Sequence, residues 1–442
     1  MRVLFIQTPS VEGISQERVY PIGIVILAAS LLERGYDVSI LDMNIEQDPF
    51  GAVKHRLHSF KPDVVGLSLR NIDPLANKTS SLVPPFLVTA RLIAAVMPEA
   101  WIIAGGAGFS LFPRRLMLEA PEIHYGVVGE AEASLPLLLA SLKKTRLDKG
   151  RCRRGGGGTL AGSSSRCLDM AQYVRPARGL LDPSLYAGIN SYVPAVGIET
   201  KRGCPFHCAY CVYPRLQGSK LRCRPPQDVV DEMESLHKEY GIKRFHFTDP
   251  VINYPAQHLG DICREIVRRN LKLTWDGFMR EDHFHEKDAA LFEKAGCECF
   301  SFSPDGLGQE ALDVLDKRLS TADILRAARL ASRTDVVSVY HFMVNVPGET
   351  EKTCEQGLRL LERVYDLHNR KKNLGTIVLN NIRILPGTPI EAQARANGVI
   401  RPDTDLLYPT YYNPRPFEAF RYRLETLHLA RNVFMWQKVR RP

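Results

Sequence analysis

Three cysteines, Cys204, Cys208 and Cys211, are the residues of this chain whose type and spacing point most directly to chemistry. Their C-x3-C-x2-C spacing is compact enough for one loop to carry all three thiols. Iron–sulfur cubanes are normally held by four thiolates, so a loop with three would leave one iron open to a substrate or cofactor. The alternative is a zinc site that a distant cysteine such as Cys223 would complete.

Two aromatic residues in the same loop sharpen this interpretation. Phe206 lies between the first two cysteines, and Tyr210 directly precedes the last one. This motif resembles the radical S-adenosylmethionine (SAM) superfamily, in which SAM chelates the open iron and an electron from the cluster cleaves SAM to a 5′-deoxyadenosyl radical. The resemblance implies a [4Fe-4S] cluster on the three cysteines, and a SAM site that includes Phe206 and Tyr210.

Composition excludes several classes of protein. The chain has 442 residues, 45% of them hydrophobic, enough for two or three domains of about 150 residues each. Ten cysteines in so long a chain favour a reducing cytoplasm over a disulfide framework.

The net charge of the chain is +9, but its lysines and arginines are interleaved with acidic residues and are enriched only at 143–154 and 438–441. This distribution favours a solvated surface over a nucleic-acid site. No apolar run approaches the roughly 18 residues of a membrane span, and the first residues are typical of a strand rather than a signal peptide.

Residues 1–145 alternate between strand and helix patterns. This alternation predicts a doubly wound, Rossmann-like α/β domain whose ligand site lies at the carboxyl ends of parallel strands. The predicted strands are 3–6, 38–41, 64–69, 101–104 and 125–128, and the predicted helices are 22–34, 52–59, 85–97, 114–119 and 134–143.

Glycines gather at those strand ends, where backbone can approach a large flat ligand. Placed before the cysteine motif, they resemble the cobalamin-binding domain of B12-dependent radical SAM enzymes. The resemblance implies cobalamin contacts from Gly23, Gly66, Ser68, Arg70, Gly105, Gly106, Gly129 and Glu130. A nucleotide-binding domain is the alternative, but no G-x-G-x-x-G follows the first strand. Asp-x-His-x-x-Gly is also absent, so we expect no histidine on the lower face of cobalt. Arg70 is a candidate to lie beneath the corrin, or it is a surface arginine.

Residues 146–193 are predicted to form a linker, because a glycine- and serine-rich patch within them has no apolar face to bury. From residue 194 the alternation resumes and fits the partial (β/α)6 barrel of radical SAM enzymes over 194–400. Its predicted strands are 196–200, 244–248, 272–276, 299–303, 337–346 and 376–384.

Strand ends supply site residues in such barrels. The resemblance places SAM contacts at Thr248 and Asp249, at the end of the second strand, and at Ser303 and Asp305 around the end of the fourth. Thr248-Asp249-Pro250 departs from the family's usual glycine-rich or glutamate-bearing sequence, which makes individual contacts less specific than the cysteines. Further candidates are the proton carriers His246, His283 and His285, an inward-facing Tyr340 or Asn345, and Pro-Gly motifs at 347–350 and 386–389, which also suit helix starts.

The segment 401–442 is predicted to hold an aromatic lid at 408–414 and a closing helix at 417–439, where apolar residues recur at helical spacing.

Taken together, the resemblance implies a cytoplasmic B12-dependent radical SAM methyltransferase. Its substrate would be a small molecule methylated at an unactivated carbon or a phosphinate phosphorus, and its electrons would come from a flavodoxin- or ferredoxin-type donor. One SAM would give the methyl group and another the radical. The alternatives are cyclisation or ring rearrangement without methyl transfer, and a cobalamin sensor without catalysis. Substrate identity, catalytic residues beyond the cofactors and oligomeric state are not predicted.

Overall fold

The structure is a computed structural model, and it describes residues 1–9, 18–74, 79–149, 159–162, 169–187, 194, 196–413, 422–424 and 426–427. The chain divides into two compact units. The first comprises Met1–Pro74, Lys78–Asn190 and Leu407–Pro409, and the second comprises Leu75–Asn77, Ser191–Leu406 and Thr410–Pro442. Within the described ranges, no helix is both long enough and apolar enough to cross a membrane.

The first unit is built on a parallel sheet of six strands in the order β2-β1-β3-β4-β5-β6. The strands are β1 (Arg2–Gln7), β2 (Asp37–Asp42), β3 (Val64–Ser68), β4 (Trp101–Gly105), β5 (Tyr125–Val128) and β6 (Thr159–Gly162). The helices are α1 (Ile22–Leu32), α2 (Pro49–Phe60), α3 (Val83–Val96), α4 (Ala107–Leu111), α5 (Pro113–Glu119) and α6 (Ser134–Lys149). The doubly wound fold is thus confirmed, and its strand order reverses between β1 and β3, where such sheets bind ligands.

Parts of the predicted linker belong to this first unit. Thr159–Gly162 pairs in parallel with β5 as a sixth strand, too short to give a sequence pattern of its own. Residues 169–187 contain three 3₁₀ turns, Met170–Gln172, Arg178–Leu180 and Pro183–Tyr186. The last turn is anchored by Tyr186, which is fully buried and donates a 2.5 Å hydrogen bond to Asp42. The glycine patch at 155–158 lies outside the described residues.

The second unit contains the expected partial barrel, a sheet of order β15-β14-β13-β12-β11-β10-β7. Its parallel strands are β7 (Gly197–Ile198), β10 (Arg244–Phe247), β11 (Thr274–Met279), β12 (Cys297–Asp305), β13 (Val337–Val344) and β14 (Leu374–Arg383), and β15 (Tyr411–Tyr412) runs antiparallel to β14. A separate ribbon pairs β8 (Lys201–Arg202) with β9 (Arg222–Cys223). The helices are α7 (Tyr213–Gln217), α8 (Pro226–Tyr240), α9 (Ala256–Arg268), α10 (Glu286–Lys294), α11 (Gln309–Val314), α12 (Thr321–Ala331), α13 (Glu351–Asn369) and α14 (Pro389–Ala396).

Ring contacts distinguish the two faces of this sheet. Phe278 on β11 lies 5.3 Å from His341 on β13, measured between ring centroids. Because β12 lies between those strands, the two rings meet across the concave face. Tyr340 points the other way, and its hydroxyl pairs with His368 of α13 at 2.8 Å. Side chains alternate along a strand, so His341 lines the interior and Tyr340 does not.

The predicted lid takes a different form where it is described. Tyr411 and Tyr412 form the edge strand β15, and Tyr412 is buried. Backbone pairing with β14 holds these residues in the sheet. Of the predicted closing helix, 422–424 and 426–427 are helical, and the remainder lies outside the described residues.

The two Pro-Gly motifs begin helices. Thr350 caps α13 through a reciprocal capping box with Thr353, and the Thr388 hydroxyl accepts a hydrogen bond from the Glu391 backbone at the start of α14. Arg383, three residues before the second motif, is buried and donates to the carbonyls of Ile384 and Leu406. These contacts account for the motifs as structural elements.

Gly106 fastens the carboxyl edge of the first sheet. Its φ of +102° lies in the region that favours glycine, and a Cβ there would stand 2.4 Å from the carbonyl oxygen of Leu69. The amide of Gly108 donates to the carbonyls of Leu69 and Arg70 at 3.0 and 2.9 Å. The loops after β3 and β4 are therefore held in close backbone contact.

Replacing Gly106 by alanine should destabilise the first unit by at least about 2 kcal/mol, because the new Cβ meets fixed backbone. Gly23→Ala is the matched control: a Cβ at Gly23 would meet nothing within 4 Å, and alanine favours the helix. The measurement is the thermal unfolding midpoint, with hydrogen exchange over 64–111 to localise the change. Equal midpoints for the two variants would contradict this account.

Candidate active site

The cysteine loop begins at Gly203, directly after β8. Its φ is +86°, and a Cβ there would stand 2.2 Å from the Lys220 carbonyl oxygen, so only glycine fits this turn. The amide of Cys204 donates to Gly218 at 3.1 Å, and the amide of Ala209 donates to Leu315 at 2.8 Å. The loop is thus tied to the chain on both sides.

The three cysteines provide free thiols in one loop. Cys204 is buried, and Cys208 and Cys211 are half-buried. Among the described residues, no three His, Cys, Asp or Glu side chains gather around a single ion position, as a zinc site requires. A cubane fits this arrangement better, because each thiolate then binds a different iron. Cys223 lies opposite Lys201 in the ribbon, and its electrostatic neighbours are Lys201 and Asp249.

Phe206 is covered by a buried guanidinium. Cζ of Arg280 lies 3.9 Å from the Phe206 ring centroid, a favourable cation–π geometry. Arg280 also forms an ion pair with Asp282 at 3.0 Å and donates to the Lys317 carbonyl at 2.9 Å. On another side, Phe206 contacts the ring of Tyr254 at 5.1 Å.

Tyr210 takes part in a three-residue network with Asp305 and Lys317. The Tyr210 hydroxyl and the Lys317 ammonium both donate to Oδ2 of Asp305, and Lys317 Nζ lies 3.3 Å from the Tyr210 oxygen. Burial acts to lower the pKa of Lys317, but the charges of Asp305 and Cys208 raise it overall above its usual value. Asp305 sits at an irregularity of β12 with φ +66°. Its carboxylate is thus engaged within the protein, and its contact with SAM stays a prediction.

Asp249 is engaged in a similar way. One carboxylate oxygen accepts hydrogen bonds from the amides of Thr200 and Lys201 at 2.8 and 3.1 Å, and the other accepts from the Thr200 hydroxyl at 2.5 Å. Asp249 therefore ties the end of β10 to the segment before the cysteines. Neighbouring Thr248 donates its amide to Ile198 at 3.0 Å. Direct SAM contacts from Thr248 and Asp249 stay predictions.

The concave face of the barrel sheet carries polar groups. Nδ1 of His246 lies 2.5 Å from Oδ1 of the buried Asp276, and the His246 ring contacts Phe278 at 6.0 Å. Burial lowers the pKa of His341 to about 4, so this imidazole is neutral near pH 7. Ser303 shares the face by strand alternation. Of the other predicted histidines, His283 packs on Tyr254 at 4.6 Å, and His285 precedes α10.

Glu281 is an acid that the sequence reasoning missed. It is fully buried, and neither carboxyl oxygen has a hydrogen-bond partner. Desolvation raises its pKa to about 8, against an opposing effect of Lys317. The side chain is thus largely protonated at neutral pH. No spacing or motif in the sequence marks either Glu281 or Lys317. Both stand out only because the folded chain buries them.

The residues predicted for cobalamin lie mainly at the carboxyl edge of the first sheet. Gly66 accommodates Phe5, whose ring would stand 2.5 Å from a Cβ, so packing accounts for this glycine. Ser68 donates to Gln7 at 3.0 Å, and Gly129 donates to the Ser110 hydroxyl at 3.0 Å. Of the remaining candidates, Gly105 is the last residue of β4, and Gly23 is exposed in α1. Arg70, Gly106 and Glu130 lie in the loops after β3, β4 and β5. The small residues leave backbone accessible there, which suits a large planar ligand, and the individual contacts stay predictions.

Comparison with known proteins bears on both units. The B12 binding domain family model matches residues 15–139, and the radical SAM superfamily model matches residues 198–361. An uncharacterised methyltransferase, PH0819 of Pyrococcus horikoshii, is 25% identical over 409 residues, covering 90% of this chain and 84% of the relative. The anaerobic magnesium-protoporphyrin IX monomethyl ester cyclase of Rubrivivax gelatinosus is 26% identical over 372 residues, covering 81% of this chain and 65% of the cyclase.

Solved structures of the radical SAM methyltransferase TsrM from Kitasatospora setae share the fold. One contains tryptophan and a SAM analogue, and another contains cobalamin and a [4Fe-4S] cluster. Both have a TM-score of 0.72 and cover 90% of this chain and about three quarters of TsrM, at 24% and 22% identity.

The fold and the matched families define an enzyme of the radical SAM superfamily with an attached B12-binding domain. The chain belongs to the B12-dependent radical SAM enzymes, a class whose cofactors are cobalamin, SAM and a [4Fe-4S] cluster. Its relatives include methyltransferases and a cyclase.

Replacing Glu281 by glutamine should change the pH dependence of stability. The folded-state pKa of Glu281, about 8, exceeds its ordinary value of 4.5. The contribution of Glu281 to the free energy of unfolding therefore falls as pH rises between these two values, by up to about 1.4 kcal/mol per pH unit. Glutamine does not titrate. The thermal midpoint of Glu281→Gln should therefore rise relative to wild type between about pH 5 and pH 8.

Glu286→Gln serves as the surface control, since the Glu286 side chain is 78% exposed. A difference between Glu281→Gln and wild type that does not grow with pH would show that Glu281 ionises normally in the folded protein.

Proposed function

We propose that this chain is a B12-dependent radical SAM methyltransferase that methylates an unactivated carbon, or a phosphinate phosphorus, of a small molecule. The observation that carries the proposal is the three-thiol loop, anchored beside a partial barrel in a chain that also has a doubly wound B12 binding domain. We assign cobalamin to 1–145, the linker to 146–193, the cluster and SAM to 194–400, and the closing segment to 401–442.

Cys204, Cys208 and Cys211 would hold three irons of the cluster. When bound, the cluster supplies the electron that cleaves SAM, and cobalamin carries the methyl group. Two observations support the fit of the loop to a cluster. Its three thiols are free, and two cations, Arg280 and Lys317, interact electrostatically with Cys204. We expect the electron to come from an external flavodoxin- or ferredoxin-type donor. The free thiols also favour a reducing cytoplasm as the place of action.

The chain's own residues position and enclose the reactants. Phe206 and Tyr210 are held by neighbouring cations, and Asp249 holds the segment before the loop. The concave face, with His246 paired to Asp276, offers hydrogen bonds to a substrate inside the barrel. Asp249 and Asp276 are buried, and an enclosed site of this kind limits side reactions with water.

A second candidate is cyclisation or rearrangement of the substrate without methyl transfer. The relationship to the magnesium-protoporphyrin ester cyclase supports it, since that enzyme is as similar in sequence as the methyltransferase relatives are. Nothing specific favours a non-catalytic sensor.

Product analysis tests the reaction. With reductant, SAM and the true substrate, the methyltransferase should form S-adenosylhomocysteine and 5′-deoxyadenosine in about equal amounts, because one SAM donates a methyl group and another the radical. Chromatography with mass detection measures both products. Formation of 5′-deoxyadenosine alone would replace this proposal by the cyclase alternative, and S-adenosylhomocysteine alone would exclude the radical step.

Removal of the thiols tests the cluster site. Anaerobically reconstituted wild-type protein should hold about four iron and four sulfide per chain, and the Cys204→Ala, Cys208→Ala, Cys211→Ala triple variant should hold almost none. Cys223→Ala is the matched control and should keep its iron, because Cys223 pairs with Lys201 in the ribbon and its electrostatic neighbours are Lys201 and Asp249 rather than the loop thiols. Iron and sulfide analysis and visible absorption give the result.

Cobalamin binding to the triple variant should persist, because the proposed cobalamin site belongs to the first unit. Zinc in place of iron in protein purified without oxygen, or iron loss in Cys223→Ala, would contradict the proposed ligands.

A further inference from the structure

Two buried cations are placed against the cysteine loop, one on each of its aromatic residues. Arg280 covers Phe206 at 3.9 Å, and Lys317 Nζ lies 3.3 Å from the Tyr210 oxygen. The backbone joins the two, since Arg280 donates to the Lys317 carbonyl at 2.9 Å. Positive charge is thus built into the support of the loop rather than scattered over its surface.

Lys317 is held in place by several independent contacts. Its side chain is 6% exposed, and its ammonium donates to the Asp305 carboxylate. The residues on either side, Asp316 and Arg318, have φ of +46° and +52°, so the backbone turns sharply to present this side chain. Leu315, at the end of the preceding helix, accepts the Ala209 amide at 2.8 Å. The segment 315–317 therefore both anchors the backbone of the loop and places the Lys317 ammonium beside Tyr210.

The charges around Lys317 partly balance. Asp305 carries the opposite charge, whereas Glu281 is largely protonated at neutral pH because burial raises its pKa to about 8. Among the thiols, Lys317 interacts electrostatically with Cys204, Cys208 and Cys211. Reduction of a cluster adds one negative charge, and nearby positive charge favours it, because net charge and burial set the potential of such clusters.

We propose that Lys317 is a positioning residue whose buried charge raises the reduction potential of the cluster at Cys204, Cys208 and Cys211, and that Asp305 moderates this effect. The proposal rests on the cluster site given under the proposed function. It predicts opposite effects for the two partners. Loss of the ammonium leaves a carboxylate beside the cluster and makes reduction harder, whereas loss of the carboxylate leaves an unbalanced cation and makes reduction easier.

Four variants of the full-length, anaerobically reconstituted chain test this: Lys317→Met, Lys317→Arg, Asp305→Asn and the surface control Lys371→Met, whose lysine pairs with Asp335 while 43% exposed. The measurement is a potentiometric titration without SAM, in which the reduced cluster is followed by electron paramagnetic resonance. Iron content and thermal midpoint are recorded for each sample.

Lys317→Met should lower the equilibrium constant for one-electron reduction about tenfold, a fall of about 59 mV. Asp305→Asn should raise that constant at least about threefold, and Lys317→Arg and Lys371→Met should stay within about threefold of wild type. Both Lys317→Met and Asp305→Asn change a hydrogen-bond partner of Tyr210, so a purely structural role would not shift the potential in opposite directions.

Shifts of the same sign in those two variants, or no shift in either at full iron content, would overturn the proposal. If Lys317→Met fails to hold a cluster, Asp305→Asn still decides, since only a raised potential supports the charge effect. A wild-type chain that binds no iron would instead overturn the proposed function, and this outcome is separate from an unchanged potential in a loaded protein.

Discussion

The cysteine loop has no regular secondary structure of its own, and this constraint shapes much of the second unit. A loop can hold three thiols at fixed separations only if its backbone and side chains are anchored elsewhere. Here the backbone is anchored by a turn at Gly203 and by hydrogen bonds from the amides of Cys204 and Ala209. The side chains of Phe206 and Tyr210 are held by contacts with buried cations. The second unit supplies these anchors from the segments after α7 and α11 and from Arg280 at the end of β11.

The buried charges follow from the same constraint. An isolated buried ion is costly, and it is tolerated when it is paired and hydrogen-bonded. Lys317 with Asp305, and Arg280 with Asp282, meet that condition. Glu281 avoids the cost differently, because it keeps its proton. The residues that support the loop thus include two paired charges and one neutral acid. Because these groups are largely removed from solvent, their positions in the fold determine the electrostatic field at the loop.

Sequence reasoning succeeded where local pattern determines structure. Strand and helix alternation predicted the doubly wound sheet and the partial barrel, and strand ends were correct to within a few residues. It was less successful where a short segment depends on tertiary pairing. Thr159–Gly162 forms a strand by pairing with β5. Tyr411 and Tyr412, within the segment predicted as a lid, pair with β14 as an edge strand. Lys317 follows a helix in an irregular turn, and nothing in its neighbourhood along the chain marks it.

The acids at the strand ends show why a position in a barrel does not by itself define a role. Asp249 and Asp305 stand where a ligand-contacting carboxylate was expected, yet one accepts the amides of Thr200 and Lys201 and the other accepts Tyr210 and Lys317. A carboxylate that already accepts several strong donors gains less from a further one. These bonds hold the two flanks of the cysteine loop, the segment before it and the aromatic residue near its end. The strand ends thus help to fix where the thiols lie, and direct contacts of Asp249 and Asp305 with SAM stay predictions.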